Sequence, residues 1–175
     1  NFQNNYFGFC RLSINDLSTN SDQPIQDNEH IMVFNGEIYN FKQLIKKHSL
    51  KDTNSDTLTL FNLLKLHGKN AIPELNGMFS ILLFNKKDNS FFAARDRMGQ
   101  KPLLYFKNED GYVFSSEIKI LIRYFKNFLK INNDQVFHFM KFFHLSPNKT
   151  IFKNVQVVQP AEIIELKDGS LNKIK

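Results

Sequence analysis

A short polar segment, Asn35-Gly36-Glu37, follows the apolar residues 31–34 and is the part of the chain best suited to chemistry. The side-chain amide of Asn35 and the peptide N–H of Gly36 are donors that could both point at one developing oxyanion. The carboxylate of Glu37 could receive a substrate ammonium group beside them. The same residue types are typical of a hairpin or strand-to-helix turn, where Asn and Gly supply positive φ. Amide chemistry and a simple turn are therefore the two interpretations of this segment.

Other motifs accompany this segment in a definite order along the chain. They are Arg11-Leu12-Ser13-Ile14 with Gln23-Pro24, Ser55-Asp56-Thr57, Leu75-Asn76-Gly77-Met78-Phe79, Ala94-Arg95-Asp96-Arg97 followed by Gly99-Gln100-Lys101-Pro102-Leu103, and Phe114-Ser115-Ser116-Glu117. Together with residues 35–40, the set resembles the class II, N-terminal-nucleophile glutamine amidotransferase domain of glutamine-hydrolysing asparagine synthetases. The resemblance covers nearly the whole chain. The full form Asn-Gly-Glu-Ile-Tyr-Asn is closer to the asparagine synthetase branch than to the purine or hexosamine branches.

The resemblance implies a role for each of five residues. Arg11 would bind the α-carboxylate of glutamine, for which its planar guanidinium is suited because it can make two parallel hydrogen bonds. Asn35 and Gly36 would form the oxyanion hole, and Glu37 and Asp56 would hold the α-ammonium group. No metal ligand is implied in this domain.

Asp56 has a second interpretation that depends only on its place in the chain. Ser55 and Asp56 directly precede the apolar pattern of residues 57–66, where a helix N-cap is expected. If Ser55 is the cap, Asp56 lies in the first turn, where its charge is favourable with the helix dipole. A structural role and a substrate-binding role are both open.

The nucleophile expected from the resemblance is a cysteine at the first position, whose own α-amino group acts as the base. The chain begins with Asn1, and its single cysteine is Cys10. An internal cysteine in an apolar run is expected to be a buried structural thiol. We therefore expect a domain incomplete at its N-terminus, with its N-terminal strand or strands missing, and no glutaminase activity of residues 1–175 alone. Natural loss of the catalytic end is the alternative.

The periodicity of the chain predicts an α+β domain. Apolar spacings of three and four residues predict helices over residues 41–48 and 58–66, and short apolar runs bounded by turn residues predict strands over 78–84, 90–94, 103–106, 112–114 and 160–166. The resemblance implies a four-layer αββα sandwich of the N-terminal-nucleophile hydrolase type.

The charged triplet Arg95-Asp96-Arg97 lies between two of these strands. We interpret it as a structural ion-pair cluster, with Lys101-Pro102 at or near a domain contact. A solvated hairpin tip is the alternative.

Composition excludes some other classes of protein. The net charge of +6 comes from lysines spread among acidic residues, without an arginine-rich patch, so nucleic acid is not an expected partner. One cysteine excludes an internal disulfide framework and is typical of the cytoplasm, where we expect the protein to act. No apolar run approaches the length of a membrane span, so no membrane partner is expected.

The function implied is that of the glutaminase part of an asparagine synthetase, which supplies ammonia from glutamine for ATP-dependent amidation of aspartate. The synthetase domain is absent from residues 1–175, and ATP and magnesium are expected there, with no cofactor in this domain. Expected partners are glutamine, the synthetase domain of the same full-length chain and, as a possibility, a second copy in a homodimer. Alternatives are a non-catalytic glutamine-binding or docking domain, or an amidotransferase acting on another activated acid.

Overall fold

The helices and strands alternate along the chain in blocks, as the sequence predicts. The computed structural model describes residues 5–10, 22–167 and 170–174. Its elements are β1 (Ile25–Gln26), β2 (His30–Ile38), α1 (Phe41–Lys47), α2 (Asp56–His67), β3 (Gly77–Asn85), β4 (Ser90–Arg95), β5 (Leu104–Asn108), β6 (Gly111–Ser115), α3 (Ile118–Phe125), α4 (Asn133–Phe142), β7 (Gln156–Val157), β8 (Ile163–Lys167) and β9 (Ser170–Ile174), with 3₁₀ turns at Gly68–Glu74 and Lys126–Phe128.

The strands form two antiparallel sheets. The larger sheet has six strands in the order β1-β2-β3-β4-β8-β9, and the smaller has three in the order β6-β5-β7. In the larger sheet β3 is central, pairing with β2 on one side and β4 on the other. Because both faces of β3 are covered, it reads as the nearly continuous apolar run Gly77–Asn85 rather than as an alternating one.

Three apolar clusters show how the layers are stacked. The first lies between the larger sheet and the helices α1 and α2, and it includes Met32, Phe34, Ile81, Leu60 and Leu64. The second joins the two sheets and includes Ala93, Ile164, Tyr105 and Phe114. The third packs the outer face of the smaller sheet against α3 and includes Phe106, Val113, Leu121 and Phe125. The order is helices, sheet, sheet, helix, which confirms the expected αββα sandwich.

The sequence-based boundaries are mostly correct, with one difference that affects the site. The helices and strands expected over residues 41–48, 58–66, 78–84, 90–94, 103–106 and 112–114 are all present. β2, however, continues from His30 to Ile38, whereas the sequence predicted that it ends before Asn35. Pairing with β3 holds the longer strand, since Asn35 lies opposite Ser80 and Ile38 opposite Gly77. The turn interpretation of Asn35 and Gly36 is therefore wrong.

Cys10 also differs from expectation, because it is exposed rather than buried. Within the described ranges, none of the helices has the length and apolar character needed to cross a membrane.

Candidate functional site

The first feature of the site is a pair of glycines, one in β2 and one in β3, each packed closely against the backbone of the opposite strand. Gly36 has φ +147, and a Cβ built on it would lie 1.9 Å from the carbonyl oxygen of Met78. A Cβ on Gly77 would lie 2.1 Å from the carbonyl oxygen of Glu37. Only glycine allows both the conformation and the approach. The segment from Asn35 to Glu37 is thus packed directly against the backbone of β3.

The hydrogen bonds of Phe79 show where the N–H of Gly36 points. Phe79 pairs with Gly36 in the β2–β3 register. Its N–H donates to Oδ2 of Asp96 at 3.2 Å, and its carbonyl accepts from the Asp96 N–H at 2.9 Å, both on the β4 side. Phe79 and Gly36 therefore form a non-hydrogen-bonded pair, in which each residue's backbone groups point away from the other. The Gly36 N–H faces the outer edge of β2, as a donor to a ligand would have to do.

Asp56 joins the start of α2 to the end of β2. Ser55 is the N-cap, its hydroxyl accepting from the Leu58 N–H at 3.2 Å, and Asp56 is the first residue of the helix. Oδ2 of Asp56 accepts from the Ile38 N–H at 3.0 Å, and Oδ1 accepts from the Thr57 N–H at 2.9 Å. Asp56 is only 6% exposed. The capping interpretation of Ser55 is confirmed, and Asp56 has a structural role that brings its carboxylate to the strand carrying Gly36.

Asn35 and Glu37 carry the free polar groups of the site. Phe34 and Ile38 enter the core on the helix side, so the alternating residues Asn35 and Glu37 face the other side of the sheet. Both side chains are half-buried. Among the described residues, neither the Asn35 amide nor the Glu37 carboxylate has a hydrogen-bond or ion-pair partner. One donor group and one negative charge are thus available beside the outward N–H of Gly36.

Asn40 was missed as a positioning residue. Its Nδ2 donates to the carbonyl of Glu74 at 2.9 Å, and its Oδ1 accepts from the Asn76 N–H at 2.9 Å. The Tyr39 N–H donates to the carbonyl of Asn76 at 2.8 Å. These three bonds tie the end of β2 to the start of β3. The available signal was an amide side chain, able to donate and accept, at the end of the Asn-Gly-Glu-Ile-Tyr-Asn motif.

The triplet that follows β4 is not the ion-pair cluster expected from the sequence. Asp96 is fully buried and accepts backbone hydrogen bonds from four residues: Phe79 at 3.2 Å, Met98 at 3.0 Å, Gln100 at 2.9 Å and Lys101 at 3.0 Å. Burial by itself would raise the pKa of Asp96, but these backbone donors hold its pKa below the ordinary value. The carboxylate acts as an anchor for the loop and for β3.

The two arginines also bond to backbone groups. Arg95 donates from Nε to the carbonyl of Lys101 at 2.7 Å, from Nη1 to Val158 at 2.8 Å and from Nη2 to Gly99 at 2.6 Å. Burial lowers the pKa of Arg95, and the charge of Asp96 opposes that effect. Arg97 donates to the carbonyl of Pro73. The expectation failed because the sequence shows the charges but not the carbonyls and N–H groups that converge on them.

Arg11 lies outside the described residues, so its place relative to the site stays a prediction. The sequence also predicts a turn at Lys167-Asp168-Gly169 after the last strand, and Asp168 and Gly169 lie outside the described residues. No group of three or more His, Cys, Asp or Glu residues in the described ranges could hold a metal ion.

The layered fold and the polar edge of β2 define an amidotransferase-like domain, and comparison with protein families agrees. Residues 2–175 match the glutamine amidotransferase domain family, and the chain belongs to that family. Its relatives include asparagine synthetase [glutamine-hydrolyzing] 1 of Bacillus subtilis, 34% identical over 94% of this chain and 27% of the relative. A putative asparagine synthetase 2 of Methanocaldococcus jannaschii is 32% identical over 88% of this chain and 34% of the relative. The chain therefore spans about a third or less of the curated relatives it matches.

Solved structures confirm the fold. The glutamine phosphoribosylpyrophosphate amidotransferase of B. subtilis, complexed with ADP and GMP, aligns with a TM-score of 0.62 at 21% identity, over 91% of this chain and 33% of the other. A structure titled as the allosteric regulatory enzyme of purine biosynthesis aligns with a TM-score of 0.60 at 22% identity, over 89% and 31%. At this identity the likeness concerns the architecture alone.

Proposed function

We propose that this chain is the glutaminase domain of a glutamine-hydrolysing asparagine synthetase, and that the outer edge of β2 binds the amide to be cleaved. The observation that supports this most directly is the set of free groups at that edge, namely the Asn35 amide, the Gly36 N–H and the Glu37 carboxylate. They lie on a strand held to β3 by two close glycine approaches and to α2 by Asp56. Groups held in this way are preorganised, which an oxyanion hole requires.

Each proposed role follows from the chemistry of the group. Asn35 and Gly36 would donate to the oxyanion that forms when a cysteine thiolate attacks the side-chain amide of glutamine. Ammonia would then leave, and water would release glutamate. Glu37 and Asp56 would bind the α-ammonium group. Asp56 has capacity for this, because each carboxylate oxygen accepts about two hydrogen bonds and each accepts one here.

Binding of the α-carboxylate by Arg11 is tested by a conservative change. In the complete protein, Arg11→Lys should raise KM for glutamine by about tenfold to a hundredfold, since a point charge replaces a bidentate contact to a charged group. Steady-state kinetics of glutamate release measure this effect. Lys46→Arg is the control, because Lys46 is exposed on α1, away from the apolar residues of α3 and α4. An unchanged KM for Arg11→Lys, together with detectable glutamate release, would show that another group binds the carboxylate.

A synthetase domain is the proposed partner within the same complete protein. Large apolar side chains are exposed on and around α3 and α4, namely Ile120, Ile122, Tyr124, Phe128, Ile131, Phe137, Phe139, Met140, Phe142 and Phe143. The five phenylalanines alone expose on the order of 600 Å², if a phenylalanine has about 200 Å² of surface. For comparison, the largest contiguous apolar patch on a typical monomer covers roughly 300–600 Å². The proposal that this apolar face packs against the rest of a longer protein also agrees with the greater length of the relatives.

Hydrogen exchange tests this partner surface. Phe137 and Met140 on α4 and Phe143 at its C-cap are between 69% and 83% exposed in this chain. If a synthetase domain covers them, backbone amides of α4 should exchange at least about tenfold more slowly in the complete protein than in residues 1–175 alone. The hairpin tip at residues 86–89 is the internal control and should exchange alike in both. Equal exchange of α4 in both proteins would place the partner elsewhere.

The expectations of a homodimer, of ATP and magnesium in the synthetase domain, and of a cytoplasmic location remain predictions.

A further inference from the structure

Before β2, the side chain of Gln23 makes the hydrogen bonds to β2 that the backbone of a neighbouring strand would make. In the β1–β2 pair, Ile25 lies opposite Met32 and Gln26 opposite Ile31, so the same register places Gln23 opposite Phe34. The backbone groups of Gln23, which would continue the ladder to Phe34, make no such bond. Instead, the Phe34 N–H donates to Oε1 of Gln23 at 2.5 Å, and Nε2 of Gln23 donates to the Phe34 carbonyl at 2.8 Å. The carboxamide of Gln23 thus makes both bonds that a paired residue would make.

This contact has a consequence for the outer edge of β2. Along that edge, Met32 pairs with β1, Phe34 is bonded by Gln23, and Ile38 is bonded by Asp56. Gly36 lies between the last two, and among the described residues its outward N–H has no acceptor. We propose that Gln23 is a positioning residue, which together with Asp56 holds the Gly36 N–H in place as an oxyanion donor. The proposal rests on the proposed glutaminase function.

The need for two such anchors follows from the residue between them. Gly36 at φ +147 has the greatest conformational freedom of any residue type. It lies in a strand whose outer edge, in the part of the chain that the structure describes, has no neighbouring strand beyond β1. An oxyanion donor must lie within about 2.7 to 3.1 Å of its acceptor. A displacement of a catalytic group by about 1 Å can cost roughly a hundredfold in rate. If Phe34, two residues before Gly36, moves, the Gly36 N–H is expected to move with it and kcat to fall.

The test is Gln23→Met in the complete protein, which keeps the length of the side chain and removes both hydrogen bonds. We expect kcat for glutamine hydrolysis to fall by about tenfold to a hundredfold. KM for glutamine should change by less than about threefold, because the groups proposed to bind the amino-acid end are untouched. Gln23→Glu, which accepts from the Phe34 N–H but cannot donate to its carbonyl when ionised, should lie between wild type and Gln23→Met. If Gln23→Met does not fold, the kcat of Gln23→Glu tests the proposal.

The control is Gln43→Met, because Gln43 is exposed on α1 and its side chain makes no hydrogen bond among the described residues. Native kcat in a folded Gln23 variant, or a raised KM with native kcat, would overturn the proposal.

Amide exchange gives a second readout that needs no turnover. The Phe34 N–H should be protected in wild type and exchange faster in Gln23→Met, while Met32 keeps its protection. An unprotected Phe34 N–H in wild type would also overturn the proposal. Protected Phe34 without any glutamate release would instead reject the proposed function and leave the structural role of Gln23 intact.

Discussion

Asn35→Ala should lower kcat for glutamine hydrolysis by about a hundredfold to a thousandfold in the complete protein, or about 3 to 4 kcal/mol of transition-state stabilisation. The change removes the side-chain donor and leaves the outward N–H of Gly36. The tetrahedral oxyanion would then lose one of two hydrogen bonds when its charge appears. Asn35 has no partner among the described residues, so truncation breaks no internal hydrogen bond and the fold should be retained.

The same variant should bind glutamine nearly as well as wild type. The ground-state amide oxygen carries less charge than the oxyanion, and Arg11, Glu37 and Asp56 would still hold the amino-acid end. KM should therefore change far less than kcat. Asn70→Ala is the matched control, because Asn70 is exposed in the 3₁₀ turn before β3 and its side chain makes no hydrogen bond among the described residues. Circular dichroism checks the folding of both variants. Near-normal kcat in folded Asn35→Ala would show that Asn35 only fills a place in β2.

The elements around this site were largely predictable, because they follow from local patterns. The apolar spacing of α2 and the N-cap at Ser55 are both readable in the sequence, and the structure has them where expected. The αββα stacking came from the resemblance to a family. Periodicity alone does not show which face of β3 meets the helices and which meets the second sheet, since both of its faces are apolar.

The length of β2 was missed for a physical reason. Asn and Gly are common in turns, so local preference predicted that the strand ends at Phe34. In the structure, nine consecutive pairs with β3 override that preference, and Gly36 is needed for close approach to Met78 rather than for a turn. Gly77, which lies opposite Ile38, was the second half of this signal, because a glycine in each of two paired strands allows the opposite backbone to come close.

The anchor at Asp96 was missed because its partners are backbone groups, and one of them is distant in sequence. The Phe79 N–H comes from β3, whereas the other three donors come from the loop that follows Asp96. The sequence showed a carboxylate between two arginines, for which an ion pair was the simplest interpretation. Its actual contacts connect that loop to Phe79, the residue opposite Gly36, and so to the candidate site.

Asp96→Ala should destabilise the fold by about 3 to 5 kcal/mol, because four backbone donors lose a buried, charged acceptor together. The free energy of unfolding in urea measures the loss, and Asp110→Ala at the exposed β5–β6 turn is the control, expected to change it by less than about 1 kcal/mol. Because Phe79 lies opposite Gly36, any folded fraction should also show reduced kcat.

Acid unfolding gives an independent check on the same carboxylate. The pKa of Asp96 is lower in the folded protein than its ordinary value, so the unfolded chain binds more protons between the two values. The contribution of Asp96 is therefore complete above the ordinary pKa of an aspartate and declines as pH falls through the folded pKa. Asp96→Asn should flatten the dependence of unfolding free energy on pH in that acidic range, whereas Asp110→Asn should not. An Asp96→Asn variant with the stability and the acid dependence of wild type would mean that the converging N–H groups do not need the charge. The anchoring of the loop to β3 would then require only a neutral side-chain acceptor.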